Sequence, residues 1–117
     1  MTIIAAIDPE SILNAAGILK DGRLVALPTE TVYGLGADAT NATAVAAIYT
    51  AKGRPSFNPL IAHVSDLSQA TKEAYFSEIA LKLAEKFWPG PLTIVAPVSS
   101  KCSVCDLARA GLDSVAL

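Results

Sequence analysis

Apolar positions along the chain switch between helical and extended spacing. Asp8-Pro9-Glu10 opens a helix pattern, with an N-cap aspartate, proline at the first helical position and an acid in the first turn. Ile12, Ala15, Ala16 and Leu19 then recur at helical spacing until Asp21-Gly22 stops the run. Arg23–Leu27 predicts a short apolar strand ending at Pro28, and Pro28–Ala37 (PTETVYGLGA) a loop, polar first and then glycine-rich. Thr40-Asn41 caps a second helix that carries Val45, Ile48 and Tyr49 on one face and ends at Lys52-Gly53. The prolines of Arg54–Pro59 exclude regular structure there. Leu60–Val64 is expected as a buried strand, Ser65–Ala74 as a turn and short helix. Ser77–Phe87 predicts an amphipathic helix through Ile79/Ala80, Leu83/Ala84 and Phe87. Trp88-Pro89-Gly90-Pro91 is a rigid break before a strand at Leu92–Ala96. Ser99–Gly111 fits neither period, and Val115–Leu117 begins strand-like. Strands alternating with helices predict an α/β layer fold.

Composition narrows this picture. The 117 residues suit one domain. Hydrophobic residues make up 52% and charged residues only 17%, which excludes global disorder. Mean hydropathy is +0.45, yet no purely apolar run reaches the roughly 18 residues of a membrane span, so no membrane association is expected. A net charge of −2 excludes a strongly basic nucleic-acid footprint for the chain as a whole and leaves a local basic patch open. Met1-Thr2-Ile3-Ile4 has no basic region ahead of its apolar residues, unlike a secretory leader. Two cysteines are too few for a disulfide scaffold, and a cytoplasmic location is expected. The chain stops inside the apolar run Ser114-Val115-Ala116-Leu117, so residues 1–117 are expected to be the front part of a longer domain.

Four segments carry candidate chemistry. Pro28–Gly36 follows a strand and offers the Thr29 and Thr31 hydroxyls, the Glu30 carboxylate and the Tyr33 phenol; a plain strand-to-helix turn needing glycine fits the same residues. Lys52 and Arg54 lie two residues apart at a helix end, where the helix dipole alone favours cations. The stiff proline loop that follows also suits a polyphosphate, with arginine as a fork and lysine as a point charge. His63, the only histidine, lies among apolar residues as either a core residue or a group facing the same mouth. Thr93 opens a strand next to the Trp88 break and reads as a pocket hydroxyl or as part of a turn. Cys102 and Cys105 have a metal-ligand spacing but no second pair, so free thiols are expected and no metal site is assigned.

Leu27–Ala37 (LPTETVYGLGA), Ala51–Leu60 (AKGRPSFNPL) with His63, Phe87–Thr93 (FWPGPLT) and Ala110–Ala116 (AGLDSVA) together resemble the YrdC-type threonylcarbamoyl-adenylate synthases. The resemblance runs from about residue 8 to the last residue. It implies a YrdC-like α/β fold, a twisted open sheet of mixed or mostly parallel strands with flanking helices and a large concave cavity. It also implies condensation of L-threonine, bicarbonate and ATP to threonylcarbamoyl-AMP and pyrophosphate. The group then passes to tRNA, directly or through a threonylcarbamoyl-transferase complex. Carried over residue by residue, Lys52 and Arg54 match phosphate-binding, catalytic positions, and Asn58 and Ser114 match nucleotide-contacting ones. Thr31 and His63 match positions around the bound threonine, with Tyr33 and Thr93 lining the cavity. Mg²⁺ is implied as the counter-ion of ATP, held mainly by phosphates. The family pattern continues to an arginine and a later Ser-x-Asn motif, both beyond Leu117, the last residue of this sequence.

Three other readings compete: a carbamoyl-transfer domain of the hydrogenase-maturation type, a non-catalytic truncated remnant, and a YrdC-like RNA-binding module. Steep salt dependence of tRNA binding distinguishes the last.

Overall fold

The computed structural model describes residues 2–117; Met1, which opens the N-terminal reading and the domain span, lies outside them. Helix α1 (Pro9–Lys20) starts where predicted, because Asp8 is extended and its carboxylate accepts from the Ser11 N–H at 2.9 Å. Its apolar stripe stays outside the core, with Ile12 56% exposed and no residue of the helix buried.

Strand β1 (Val25–Pro28) pairs antiparallel with β2 (Tyr33–Gly36), Val25 opposite Gly36 and Pro28 opposite Tyr33. The sequence predicts a loop across Pro28–Ala37, and this is corrected: Tyr33–Gly36 is a strand. The reason is local. The Thr29 N–H and hydroxyl both donate to the Val32 carbonyl, so the chain folds back at once.

Helix α2 (Ala42–Lys52) is capped by Asn41, whose side-chain oxygen accepts from the Thr43 and Ala44 N–H groups at 3.0 and 3.1 Å. It buries Ala44, Val45, Ile48 and Tyr49. Gly53 ends it at φ 59, a left-handed conformation that turns the chain out of the helix.

Helix α3 (Leu67–Glu73), helix α4 (Glu78–Phe87), β3 (Val95–Pro97) and β4 (Ser114–Ala116) follow. Strands β3 and β4 pair antiparallel, Ala96 opposite Val115. The buried strand expected at Leu60–Val64 is corrected to a single parallel bridge, Ile61 to Ala116. The Leu60 N–H goes instead to the Ala108 carbonyl at 2.9 Å and the Ala62 N–H to the Ala116 carbonyl at 2.9 Å, which leaves no continuous ladder. The strand expected from Leu92 starts later, because the Leu92 carbonyl accepts from the Trp88 indole at 2.7 Å and its N–H donates to the Gly90 carbonyl. The described residues thus form an α/β arrangement of four helices, two antiparallel strand pairs and two isolated bridges, Ile61 to Ala116 parallel and Ala74 to Val98 antiparallel, a mixed sheet system.

The core gathers Val45, Tyr49, Val104, Val115 and Leu117 with five alanines, Ala62, Ala70, Ala74, Ala96 and Ala108. Alanine buries little area, so each contact contributes modestly. On α4 the inward residue is Ala84, while Ile79, Leu83 and Phe87 are exposed. A radius of gyration of 14.6 Å exceeds the roughly 13 Å of a compact chain this long, in keeping with the exposed α1 and N-terminal segment.

Candidate functional site

A cavity of about 450 Å³ opens between the Ile61–Leu67 segment, the end of α4 and the Trp88–Thr93 turn. That volume suits a small metabolite. His63 and Thr93 both line it. His63 is exposed on the wall and not buried in the core, and the lining it joins does not include Lys52 or Arg54. Glu30, on the β1–β2 turn, also reaches the lining.

The Trp88 turn is a built wall. The Trp88 N–H donates to the Ala84 carbonyl at 2.9 Å, which carries α4 into the turn. The Trp88 ring meets Phe76 edge-on, with centroids 6.0 Å apart. Gly90 sits so close to the end of α4 that an added Cβ would lie 2.5 Å from the Phe87 carbonyl oxygen.

The lining is acidic. Glu30, Asp66 and Glu85 contribute to it, together with His63 and no lysine or arginine. Asp66 has a second task, capping α3 by accepting from the Gln69 N–H at 2.7 Å. An acidic mouth favours a cationic amine over a free anion.

Thr31 and Tyr33 lie beside this mouth in sequence but not in its lining; both are exposed on the β1–β2 hairpin. The Thr31 N–H donates to the Thr29 hydroxyl at 3.3 Å, so the threonines organise the turn itself.

Lys52, Arg54 and Asn58 form a second group, also outside the cavity lining. Lys52 is exposed at the end of α2. Arg54 is half-buried: one guanidinium nitrogen donates to the Pro59 carbonyl at 2.9 Å, and its Nε is buried without a partner. Asn58 is exposed and closes the loop by donating its N–H to the Pro55 carbonyl at 3.1 Å. Ser114 lies elsewhere again, half-buried at the start of β4 opposite Pro97. The structure therefore brings His63 and Thr93 together, keeps the Lys52–Asn58 loop as its own unit, and sets Ser114 apart.

Sequence reasoning missed three contributors. Tyr49 reads as a helix-face apolar residue, yet its hydroxyl lies 2.9 Å from the Asn58 carbonyl and 3.2 Å from the Leu107 carbonyl. A buried tyrosine needs a partner for its hydroxyl, which was the available clue. Asp66 and Glu85 enter the lining through the turn of the chain, which no spacing discloses.

Cys102 and Cys105 are free thiols, both half-buried. Burial pushes the Cys102 thiol up; the Val104 backbone contact opposes it and the neighbouring Glu73 adds to it, so the thiol stays protonated at neutral pH and is a poor nucleophile. Among the described residues, no three His, Cys, Asp or Glu side chains gather to hold a metal ion. No helix among them is long and apolar enough to cross a membrane.

The family model Sua5_yciO_yrdC, described as Telomere recombination, matches residues 17–117. The chain belongs to the Sua5/YciO/YrdC family. It is 48% identical over its whole length to the threonylcarbamoyl-AMP synthase of Pyrococcus abyssi, and covers 35% of that protein. It is 48% identical over 94% of its length to the threonylcarbamoyl-AMP synthase of Bacillus subtilis, of which it covers 32%. The crystal structure of P. abyssi Sua5 complexed with L-threonine superposes with a TM-score of 0.90 at 48% identity, over 98% of this chain and 35% of the other. The chain thus spans about a third of the length of these relatives. The α/β fold expected from the resemblance is the fold of this Sua5/YciO/YrdC member.

Proposed function

We propose that this chain is the N-terminal part, residues 1–117, of a YrdC-like domain that makes threonylcarbamoyl-AMP from L-threonine, bicarbonate and ATP. One observation carries the reading: the chain superposes almost entirely on a relative complexed with L-threonine, and on this chain that fold builds a cavity walled by His63 and Thr93.

The threonine amine first takes up bicarbonate, losing water to give a carbamate. A carbamate oxygen then attacks the α-phosphorus of ATP, and pyrophosphate leaves with the electron pair of the broken P–O bond. The work of the protein is positioning and charge neutralisation. His63 and Thr93 hold the polar atoms of threonine with Thr31 and Tyr33 at the rim, and the acidic lining attracts its ammonium group. Lys52 and Arg54 act as the catalytic cations on the phosphates, with Asn58 and Ser114 contacting the nucleotide. One terminal nitrogen of Arg54 is engaged with the Pro59 carbonyl, and a guanidinium has further N–H donors beyond that one. Mg²⁺ would enter with ATP as its counter-ion, held mainly by the phosphates, whose negative charge it would offset.

The product is a mixed anhydride whose threonylcarbamoyl group goes to tRNA, directly or through a transferase complex, in the cytoplasm. The test is pyrophosphate release by the purified chain with ATP, bicarbonate and Mg²⁺, with and without L-threonine. Threonine-dependent release is expected. A folded chain that binds neither ATP nor L-threonine in calorimetry overturns the reading.

A further inference from the structure

Tyr49 is the last buried residue of α2, 7% exposed, and it grips the Lys52–Pro59 loop at two points. Its backbone carbonyl accepts from the Arg54 N–H at 3.1 Å, just after the helix ends. Its hydroxyl lies 2.9 Å from the Asn58 carbonyl, near the other end of the loop. The same hydroxyl lies 3.2 Å from the Leu107 carbonyl, on the Cys105–Gly111 turns. A phenol has one proton, so the two carbonyls share a single donor. Beside it, the Leu60 N–H donates to the Ala108 carbonyl at 2.9 Å, which ties the loop's exit to the same turns.

The rest of the loop has few other anchors. Within it, the Asn58 N–H meets the Pro55 carbonyl and one Arg54 nitrogen meets the Pro59 carbonyl; Ser56, Phe57, Asn58 and Pro59 are exposed. Two prolines stiffen the segment but do not set its orientation against the body of the protein. That orientation decides where the Lys52 ammonium and the Arg54 fork point.

We propose that Tyr49 is a positioning residue: its hydroxyl holds the Arg54–Pro59 loop against the Cys105–Gly111 turns and thereby sets the affinity of Lys52 and Arg54 for a polyphosphate. The proposal rests on the reading of this loop as the phosphate-binding element. Tyr49 itself touches no substrate; it acts through the loop.

The test compares Tyr49→Phe with the wild-type chain by calorimetric titration with ATP, and by amide hydrogen exchange at Arg54, Asn58 and Leu60. Lys52→Ala is the control for the phosphate reading. The expected result is ATP binding weakened about three- to tenfold in Tyr49→Phe, the loss of one hydrogen bond. Exchange at the three amides accelerates while that of α1 is unchanged. Replacing Tyr49 with p-aminophenylalanine restores a donor and restores affinity. If Lys52→Ala leaves ATP affinity unchanged, the phosphate reading fails and overturns the proposal with it, whereas weakened binding in Lys52→Ala beside unchanged binding in a folded Tyr49→Phe chain overturns the proposal alone. If Tyr49→Phe does not fold, the p-aminophenylalanine chain decides, wild-type affinity supporting the proposal and weakened affinity overturning it.

Discussion

The Glu73 carboxylate accepts from Ser103 at both oxygens, the Ser103 N–H at 2.6 Å and its hydroxyl at 2.7 Å. Thirty residues separate the two in sequence. Glu73 is 7% exposed, at the end of α3, and it fixes the irregular Ser99–Cys105 segment to that helix. The Ser99 N–H meets the Glu73 carbonyl at 2.9 Å, so the same residue holds the segment through side chain and backbone.

This pair predicts an acid-sensitive element. Burial raises the carboxyl's pKa, but the two Ser103 hydrogen bonds, together with Cys102 and Val104, outweigh it and leave it below its ordinary value of 4.5. A lowered folded value means the charged form is the stabilised one. Its contribution is fully present above about pH 4.5 and is lost as the pH falls toward and through the lowered value. Glu73→Gln puts an amide N–H₂ where one Ser103 donor needs an acceptor. The expected cost is about 1.5–3 kcal/mol at pH 7 in chemical denaturation, with a flatter loss of stability in acid. Wild-type stability and an unaltered acid limb would show that Ser103 does not hold the segment.

Gly90 yields a second prediction. An alanine Cβ there would lie 2.5 Å from the Phe87 carbonyl oxygen, a backbone atom that no side-chain rotation can relieve. Gly90→Ala is expected to cost about 1–3 kcal/mol, the usual range for forced backbone movement. Because Trp88 lines the cavity and its indole is bonded within this turn, the substitution also shifts Trp88 fluorescence and weakens L-threonine binding. A stable variant with unchanged fluorescence rules out this role for Gly90.

Much of this structure was legible in the sequence where the causes are local. The caps read at Asp8 and Asn41 each accept a backbone N–H of the helix they start, and the structure adds Asp66 and Ser77 in the same role for α3 and α4. The strands were harder. The β2 strand depends on a turn closed by Thr29, and glycine-rich sequence reads as loop until that turn is seen. At Leu60–Val64 an apolar run looks like a strand, but its partners are a turn and a three-residue strand, which support one bridge. For the site, the motifs supply candidate residues; that His63 and Thr93 share one cavity lining while Lys52, Arg54 and Asn58 lie outside it is set by long-range packing that spacing does not encode.

Arg54 is the third prediction. Its guanidinium both braces the loop, through Pro59, and carries an unpartnered buried Nε. In the complete domain, Arg54→Ala removes a charge-assisted contact of about 1.5–3 kcal/mol, so ATP-dependent pyrophosphate release is expected to fall at least tenfold. Arg54→Lys keeps the charge and loses the planar fork, and recovers only part of that loss. Wild-type activity in Arg54→Ala removes this residue from the phosphate site.

The last prediction separates the two halves of the site. His63 stands on the cavity wall with Thr93, Glu30 and Asp66, while Lys52 and Arg54 stand outside that lining. If the cavity takes the amino acid and the loop takes the phosphates, a defect at His63 falls on threonine first. His63→Ala is then expected to raise the L-threonine requirement about two- to tenfold, the range for one lost hydrogen bond, with a smaller change in the ATP requirement. Initial rates of pyrophosphate release, measured against each substrate with the other saturating, give both numbers from one preparation. The reverse pattern, a raised ATP requirement with threonine unchanged, assigns His63 to the nucleotide and makes the acidic cavity the ATP side. That outcome would demand that Lys52 and Arg54 reach toward the cavity when ATP binds, a movement of the Arg54–Pro59 loop that the Tyr49 brace resists.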